Sequence, residues 1–108
     1  MDAGKRNHLV LLRKMMTVRD ESGAKKNAAV DVARVWASAE PISNRKIRTL
    51  DQAQIVETML FDIRKRPDVD IDWQIIFSKQ VFTVRAADRT KADRVLITAE
   101  ADTRHDRV

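Results

Sequence analysis

The chain has 108 residues, 44% hydrophobic and 34% charged, which suits one globular domain with a buried core and a heavily charged exterior. Lys and Arg number 21 against 16 Asp and Glu, a net charge of +5 that points to a polyanionic partner, DNA first, or to an ordinary solvated basic surface. With no cysteine there is no disulfide framework or thiolate metal site. The longest apolar run, Leu9 to Leu12, is too short for a membrane span or signal-peptide core, so the expected location is the cytoplasm until the chain is built into something.

In chain order, His8 to Met15 reads as a first strand, apolar on both faces. Thr17 to Ala29 reads as a loop holding Gly23 and the pair Lys25-Lys26. Val30 to Glu40 is a second strand. Val30 and Val32 share one face, then Ala33, Val35, Ala37 and Ala39 alternate, so the phase slips between Val32 and Ala33 as a β-bulge or bend requires. Pro41 cannot donate to a ladder, and the strand is expected to stop there.

Ser43 to about Gln54 is expected to be a projecting loop with one short helix. Ser43 is a candidate N-cap, Thr49-Leu50-Asp51-Gln52 resembles a capping box, and Ile47, Leu50 and Ala53 fall at helical spacing. Glu57 to Arg66 is a strand with Met59, Phe61 and Ile63 on one face. Trp73–Phe77 and Val81–Ala87 form a hairpin across Ser78-Lys79-Gln80. Arg94 to Glu100 closes the set with Val95, Ile97 and Ala99 inward, and 101–108 is expected to be a flexible tail. The fold class is mainly β: a small, partly open β-barrel or sandwich of about six strands with one short helix in a long insertion, spanning 1–108 as a single domain. Its open edge calls for a covering neighbour.

The chemistry-bearing residues are sparse. Asp68-x-Asp70-x-Asp72 has the alternate carboxylates of a calcium loop, but Trp73 stands at the turn-glycine position and Lys79 where the bidentate Glu belongs; a solvated acidic turn is the better reading. His8 and His105 have no ligand spacing, and His8 is expected to pack or hydrogen-bond at a strand start. Gly4 and Gly23 cannot build a phosphate cradle, and no nucleophile stands beside an oriented base. No catalytic residue, metal or cofactor is therefore expected. Three Phe and two Trp, all in apolar contexts, leave few rings for stacking on unpaired bases.

Several segments together resemble a known family. Val30-Asp-Val-Ala-Arg-Val-Trp-Ala-Ser-Ala-Glu-Pro41 is similar to the central signature of the tailed-bacteriophage head–tail joining proteins, the head-closure, stopper or head–tail adaptor family. Ala3-Gly4-Lys5-Arg6-Asn7-His8-Leu9-Val10-Leu11-Leu12 resembles its opening, Arg19-Asp20-Glu21-Ser22-Gly23 its first loop, Ile63-Arg64-Lys65-Arg66-Pro67 its Arg-x-Arg-Pro strand end, and Trp73 through Val84 its hydrophobic hairpin. The sequence departs from the family at Ala28-Ala29, where an aromatic often precedes Val-Asp-Val, and at Ser78-Lys79-Gln80, where an Asp-Gly turn is common.

The resemblance implies a structural component of the phage or prophage connector, a ring joining the portal end of the capsid to the tail and extending or gating the DNA channel. The implied partners are portal or adaptor ring and tail proteins, packaged double-stranded DNA contacted without sequence specificity, and further copies of the chain. The ring is twelve-fold by the resemblance, the isolated chain monomeric, and the destination the virion. Arg45, Lys46 and Arg48, with Lys25 and Lys26 behind them, are the phosphate-contact candidates. Ile42, Ile47, Leu50 and Trp36 are the ring or partner interface candidates, although a strand tryptophan between Val35 and Ala37 is first expected in the core. Arg64 and Arg66 form a weaker cationic pair on a polar strand face. The alternative function is a free-standing β-barrel binding double-stranded nucleic acid non-specifically.

Overall fold

A computed structural model describes the backbone of residues 6–49 and 52–104 and the side chains of 6–43 and 55–101. Six strands appear in chain order: β1 (His8–Arg19), β2 (Lys25–Thr49), β3 (Gln52–Arg64), β4 (Gln74–Phe77), β5 (Gln80–Asp88) and β6 (Arg94–Arg104). All pairings are antiparallel, and the order β1-β2-β3-β6-β5-β4 closes on itself through β4 and β1. The closure is short, limited to Leu11↔Ile76, Leu12↔Ile75 and Arg13↔Gln74, so the sheet is a ring rather than a regular barrel. The expected partly open sheet is thus closed by this short contact, with strand edges left unpaired on either side of it.

The core follows from strand alternation. Val10 and Leu12, Ala37, Met59, Phe61 and Ile63, Ile75, Phe82 and Val84, and Val95, Ile97 and Ala99 all point inward and are buried. Phe61 meets Phe77 and Phe82 edge-on at 5.5 and 5.6 Å between ring centroids, an arrangement favoured by the ring quadrupoles. His8 caps this cluster with its ring 5.2 Å from Phe77. Val69 and Trp73, from the connection between β3 and β4, are buried in the same core.

β2 organises the molecule. From Lys25 to Ala37 it pairs with β1, and from Ala37 to Thr49 with β3, so Ala37 is shared by both ladders. At about 3.3 Å per residue its 25 residues would span roughly 80 Å if straight, twice the longest molecular extent of 41 Å, so the strand turns a corner. Two register shifts relieve it. Leu12 faces Ala33 and Arg13 faces Asp31, leaving Val32 as the extra residue; a second slip falls between Pro41 and Ser43.

Several sequence expectations change here. Pro41 does not end β2, because beyond Ala37 the strand has only β3 beside it and proline is tolerated on an edge strand next to a bulge. The segment 43–54 is not a loop with a helix: Ser43↔Thr58 through Thr49↔Gln52 are ladder pairs, and no helix occurs among the described residues. An isolated short helix is marginal in water, whereas a long register with β3 fixes a strand. Thr49 and Gln52 of the supposed capping box pair with one another, while Leu50 and Asp51 lie outside the described residues.

Thr17 to Ala29 is likewise a hairpin extension, with Met15↔Ala29, Thr17↔Asn27 and Arg19↔Lys25 paired around a turn at 20–24. β6 continues through Arg104 opposite Gln54, so 101–104 is strand; the rest of the expected tail, His105 included, lies outside the described residues.

Candidate functional site

Two extensions leave the closed ring. The first is two-stranded: beyond Arg13 the β1–β2 ladder runs on without β4. Its turn is tied by Asp20, whose Oδ1 accepts from Ser22 N at 3.0 Å, Ser22 Oγ at 2.7 Å and Ala24 N at 3.0 Å. Those donors, the Ser22 hydroxyl foremost, hold the Asp20 carboxyl below its ordinary value. Gly23, at φ +87°, supplies the left-handed residue the turn requires. Lys25 faces Arg19 directly, a like-charge pairing that costs stability and concentrates cationic surface near the tip, with Lys26 next to it.

The second extension is three-stranded. β5 leaves the sheet at Glu100, and β2, β3 and β6 continue together. Arg45, Lys46, Ile47 and Arg48 lie in this ladder opposite Val56, Ile55, Gln54 and Ala53, with their side chains outside the described residues. Leu50 lies outside them altogether. By strand period, Lys46 and Arg48 share one phase of the pleat and Arg45 the other. The sequence grouped these cations but not their division.

Trp36 is not in the core: it is 57% exposed, directly opposite Leu9, itself 49% exposed. The alternation that buries Val35 and Ala37 turns Trp36 outward. Ile42, at the second bulge, is 50% exposed. Trp36 borders a cleft of about 560 Å³ lined by Arg6, Val35, Arg64, Lys65 and Arg66. The cleft forms because β3 pairs with β2 only as far as Ile63↔Ala37; past that point the two chains diverge.

Most of the cleft's cations are held in place. Arg6 and Arg94 grip the buried Asp62 at 3.1 and 3.3 Å. Arg66 donates two parallel hydrogen bonds to Asp68 at 2.9 Å each. That fork holds the Asp68 carboxyl below its ordinary value and raises Arg66. The Lys65 ammonium donates to the backbone oxygens of Arg89 and Lys91 and meets no carboxylate among the described residues. Arg64 is exposed and has no ion-pair partner among the described residues. Sequence reading missed this cleft because Arg6, Trp36 and Arg64 are separated along the chain; the run Arg64-Lys65-Arg66 was its one local signal.

The acidic turn is committed locally in part. Asp68 serves Arg66, and Asp70 Oδ1 accepts from Ile71 N at 2.7 Å. No cluster of three metal-ligating side chains occurs among the described residues.

A closed antiparallel β domain with cationic strand extensions and an exposed aromatic cleft has the build of a structural, partner-binding module. Its sequence matches the family model described as phage head completion protein over residues 1–103, and the chain belongs to that family. Its role is therefore structural, in virion assembly and head completion of a bacteriophage particle, and the family gives no indication of catalysis.

Comparison with curated protein sequences gave no match. Among solved structures the fold is similar to a chain in the virion of a native gene transfer agent particle, with TM-score 0.69 and 16% identity over 92% of this chain and 96% of that one. It is also similar to a protein of Shigella flexneri 2a determined in solution, with TM-score 0.70 and 17% identity over 94% and 96% of the two chains.

Proposed function

We propose that the protein is a subunit of the head–tail connector, forming a ring between the portal end of the capsid and the tail that extends or gates the DNA channel. The observation that carries this reading is the form of β2: one strand serves the closed ring and both extensions, and places basic residues on each. The open edges of those extensions need covering, and neighbouring copies in a ring would cover them. Arg45, Lys46 and Arg48, with Lys25 and Lys26 on the other extension, would meet phosphates without reading bases, which suits a channel through which any sequence passes. The described residues include no helix long and apolar enough to cross a membrane.

The test is co-sedimentation with purified portal-bearing capsids, followed by imaging of the portal vertex. The expected result is a protein that is monomeric alone, co-sediments with capsids and adds a ring to the vertex. Failure to co-sediment removes the connector reading. Duplex binding by the isolated chain with no portal association would support the free-standing nucleic-acid binder instead.

A further inference from the structure

The surface carries two separate patches whose chemistry matches. The first is the Trp36 cleft, with the apolar pair Trp36 and Leu9 beside Arg64 and Lys65, the two cations there without a carboxylate partner among the described residues. The second is the turn Asp70–Ile71–Asp72. Ile71 is 55% exposed, and its two flanking carboxylates have no ion-pair partner among the described residues.

The turn is rigidly presented. Val69 and Trp73 on either side of it are buried, Asp72 N donates to Val84 O at 3.0 Å, and Trp73 N donates to Asp70 O at 3.3 Å.

Their placement is complementary as well as their chemistry. Asp70, Ile71 and Asp72 border Met16, Thr17 and Asn27, so the acidic turn lies beside the two-stranded extension of β1 and β2. Ile63 pairs with Ala37, so Arg64 and the cleft lie at the outer edge of β2. The two patches thus lie apart along the β1–β2 ladder, one beside Leu9 and Trp36 and the other beside Met16 and Asn27. A contact between two unlike, separate patches is head-to-tail, and repetition of such a contact gives a ring when the rotation closes.

We propose that in the ring the Asp70–Ile71–Asp72 turn of one copy seats in the Trp36 cleft of the next, Ile71 against Trp36 and Leu9, its carboxylates toward Arg64 and Lys65. This contact rests on the ring reading above and names its surfaces. Duplex DNA is the weaker occupant, because its outside offers phosphate and sugar but no apolar group for Trp36 and Leu9. Aromatic and arginine side chains are the usual anchors of protein interfaces.

The chain has no cysteine, so crosslinking can address the contact directly. Copies carrying Trp36→Cys and copies carrying Ile71→Cys are co-expressed with the unmodified chain, which keeps both anchors and sustains assembly, and the particles are oxidised. Disulfide dimers are expected only when both are present, and a chain carrying both substitutions should give a ladder of multimers.

A second arm uses charge reversal at Arg64→Glu and Asp72→Lys, two side chains not tied down among the described residues of their own subunit. Each alone should lower ring assembly about tenfold, the scale of a loss of one interface anchor, and the two combined in one chain should restore it. Imaged rings that show no mixed dimer and ignore both reversals overturn this contact while leaving the ring intact. Dimers from Trp36→Cys alone would indicate a symmetric contact and also overturn it. Absence of any ring in particles of the unmodified chain defeats the ring reading itself.

Discussion

The Asp62 carboxylate lies 3.3 Å from the Arg94 guanidinium on the outer side of the sheet, while Arg6 closes on its other oxygen at 3.1 Å. The acid is 2% exposed, yet it belongs to the strand phase opposite Phe61 and Ile63, so it is covered by arginine side chains rather than by the core. Removing one partner of a buried pair costs about 3–5 kcal/mol when the remaining charge is stranded. Here the arginines are 19% and 28% exposed and can turn to water, so Asp62→Ala should cost about 2–3 kcal/mol. Urea unfolding measures it. A loss under about half a kcal/mol, the range of an ordinary surface change, would mean the network contributes nothing.

The Ser78–Lys79 turn joins β4 to β5 with both residues left-handed, at φ 54° and 66°. This backbone suits the tight hairpin twist but costs an L-residue about 1–2 kcal/mol, and Asn-Gly is the pair that adopts it most readily. Ser78→Asn with Lys79→Gly should therefore stabilise the domain by about 1 kcal/mol, after allowing for the greater freedom glycine brings to the unfolded chain. A rise in the thermal midpoint checks this, and a fall would contradict it.

Acid should weaken the domain partly through Asp68. Its carboxyl is held below its ordinary value by the fork from Arg66, so its contribution is present above the unfolded value and is lost as pH falls through the folded one. Because the Asp68 side chain is 41% exposed, solvent screening keeps that contribution to about half a kcal/mol or less. Asp68→Asn should flatten the acid limb of the stability–pH curve below about pH 4 and leave its neutral level nearly unchanged. An unchanged acid limb would show that the fork does not form in solution.

Replacing Arg45, Lys46 and Arg48 together with Gln removes up to three phosphate contacts per subunit if this extension lines the channel. Each lost contact should lower the salt slope of DNA binding by about one unit, while the fold changes by about half a kcal/mol or less. Particles should assemble but retain DNA poorly. Normal retention would pass the role to Lys25 and Lys26.

Trp36→Ala should leave unfolding within about half a kcal/mol to one kcal/mol of the parent, because the ring faces solvent. It should impair assembly on the portal vertex. A large loss of stability with normal assembly would return Trp36 to a packing role.

Much of this architecture was legible locally. The slip after Val32, the inward faces of Met59, Phe61 and Ile63 and of Val95, Ile97 and Ala99, and the hairpin at Ser78–Lys79 all follow from a two-residue period and turn chemistry. The exposure of Trp36 was also written in that period, since Val35 and Ala37 alternate inward around it; the general tendency of tryptophan toward burial masked the local signal. The strand at 43–49 was not legible, because polar Ser43, Asn44, Arg45 and Lys46 carry little β preference and take their form from β3. The cleft was hidden for a related reason, as it depends on where two strands part.

β2 also has a mechanical consequence. Its backbone runs uninterrupted from the turn of one extension to the far end of the other, and its midpoint at Ala37 is clamped between His8 and Ile63. Such a strand is a bent lever with its fulcrum inside the core. Force applied at Lys25 and force applied at Thr49 converge on the same few peptide groups, with no loop between to absorb them.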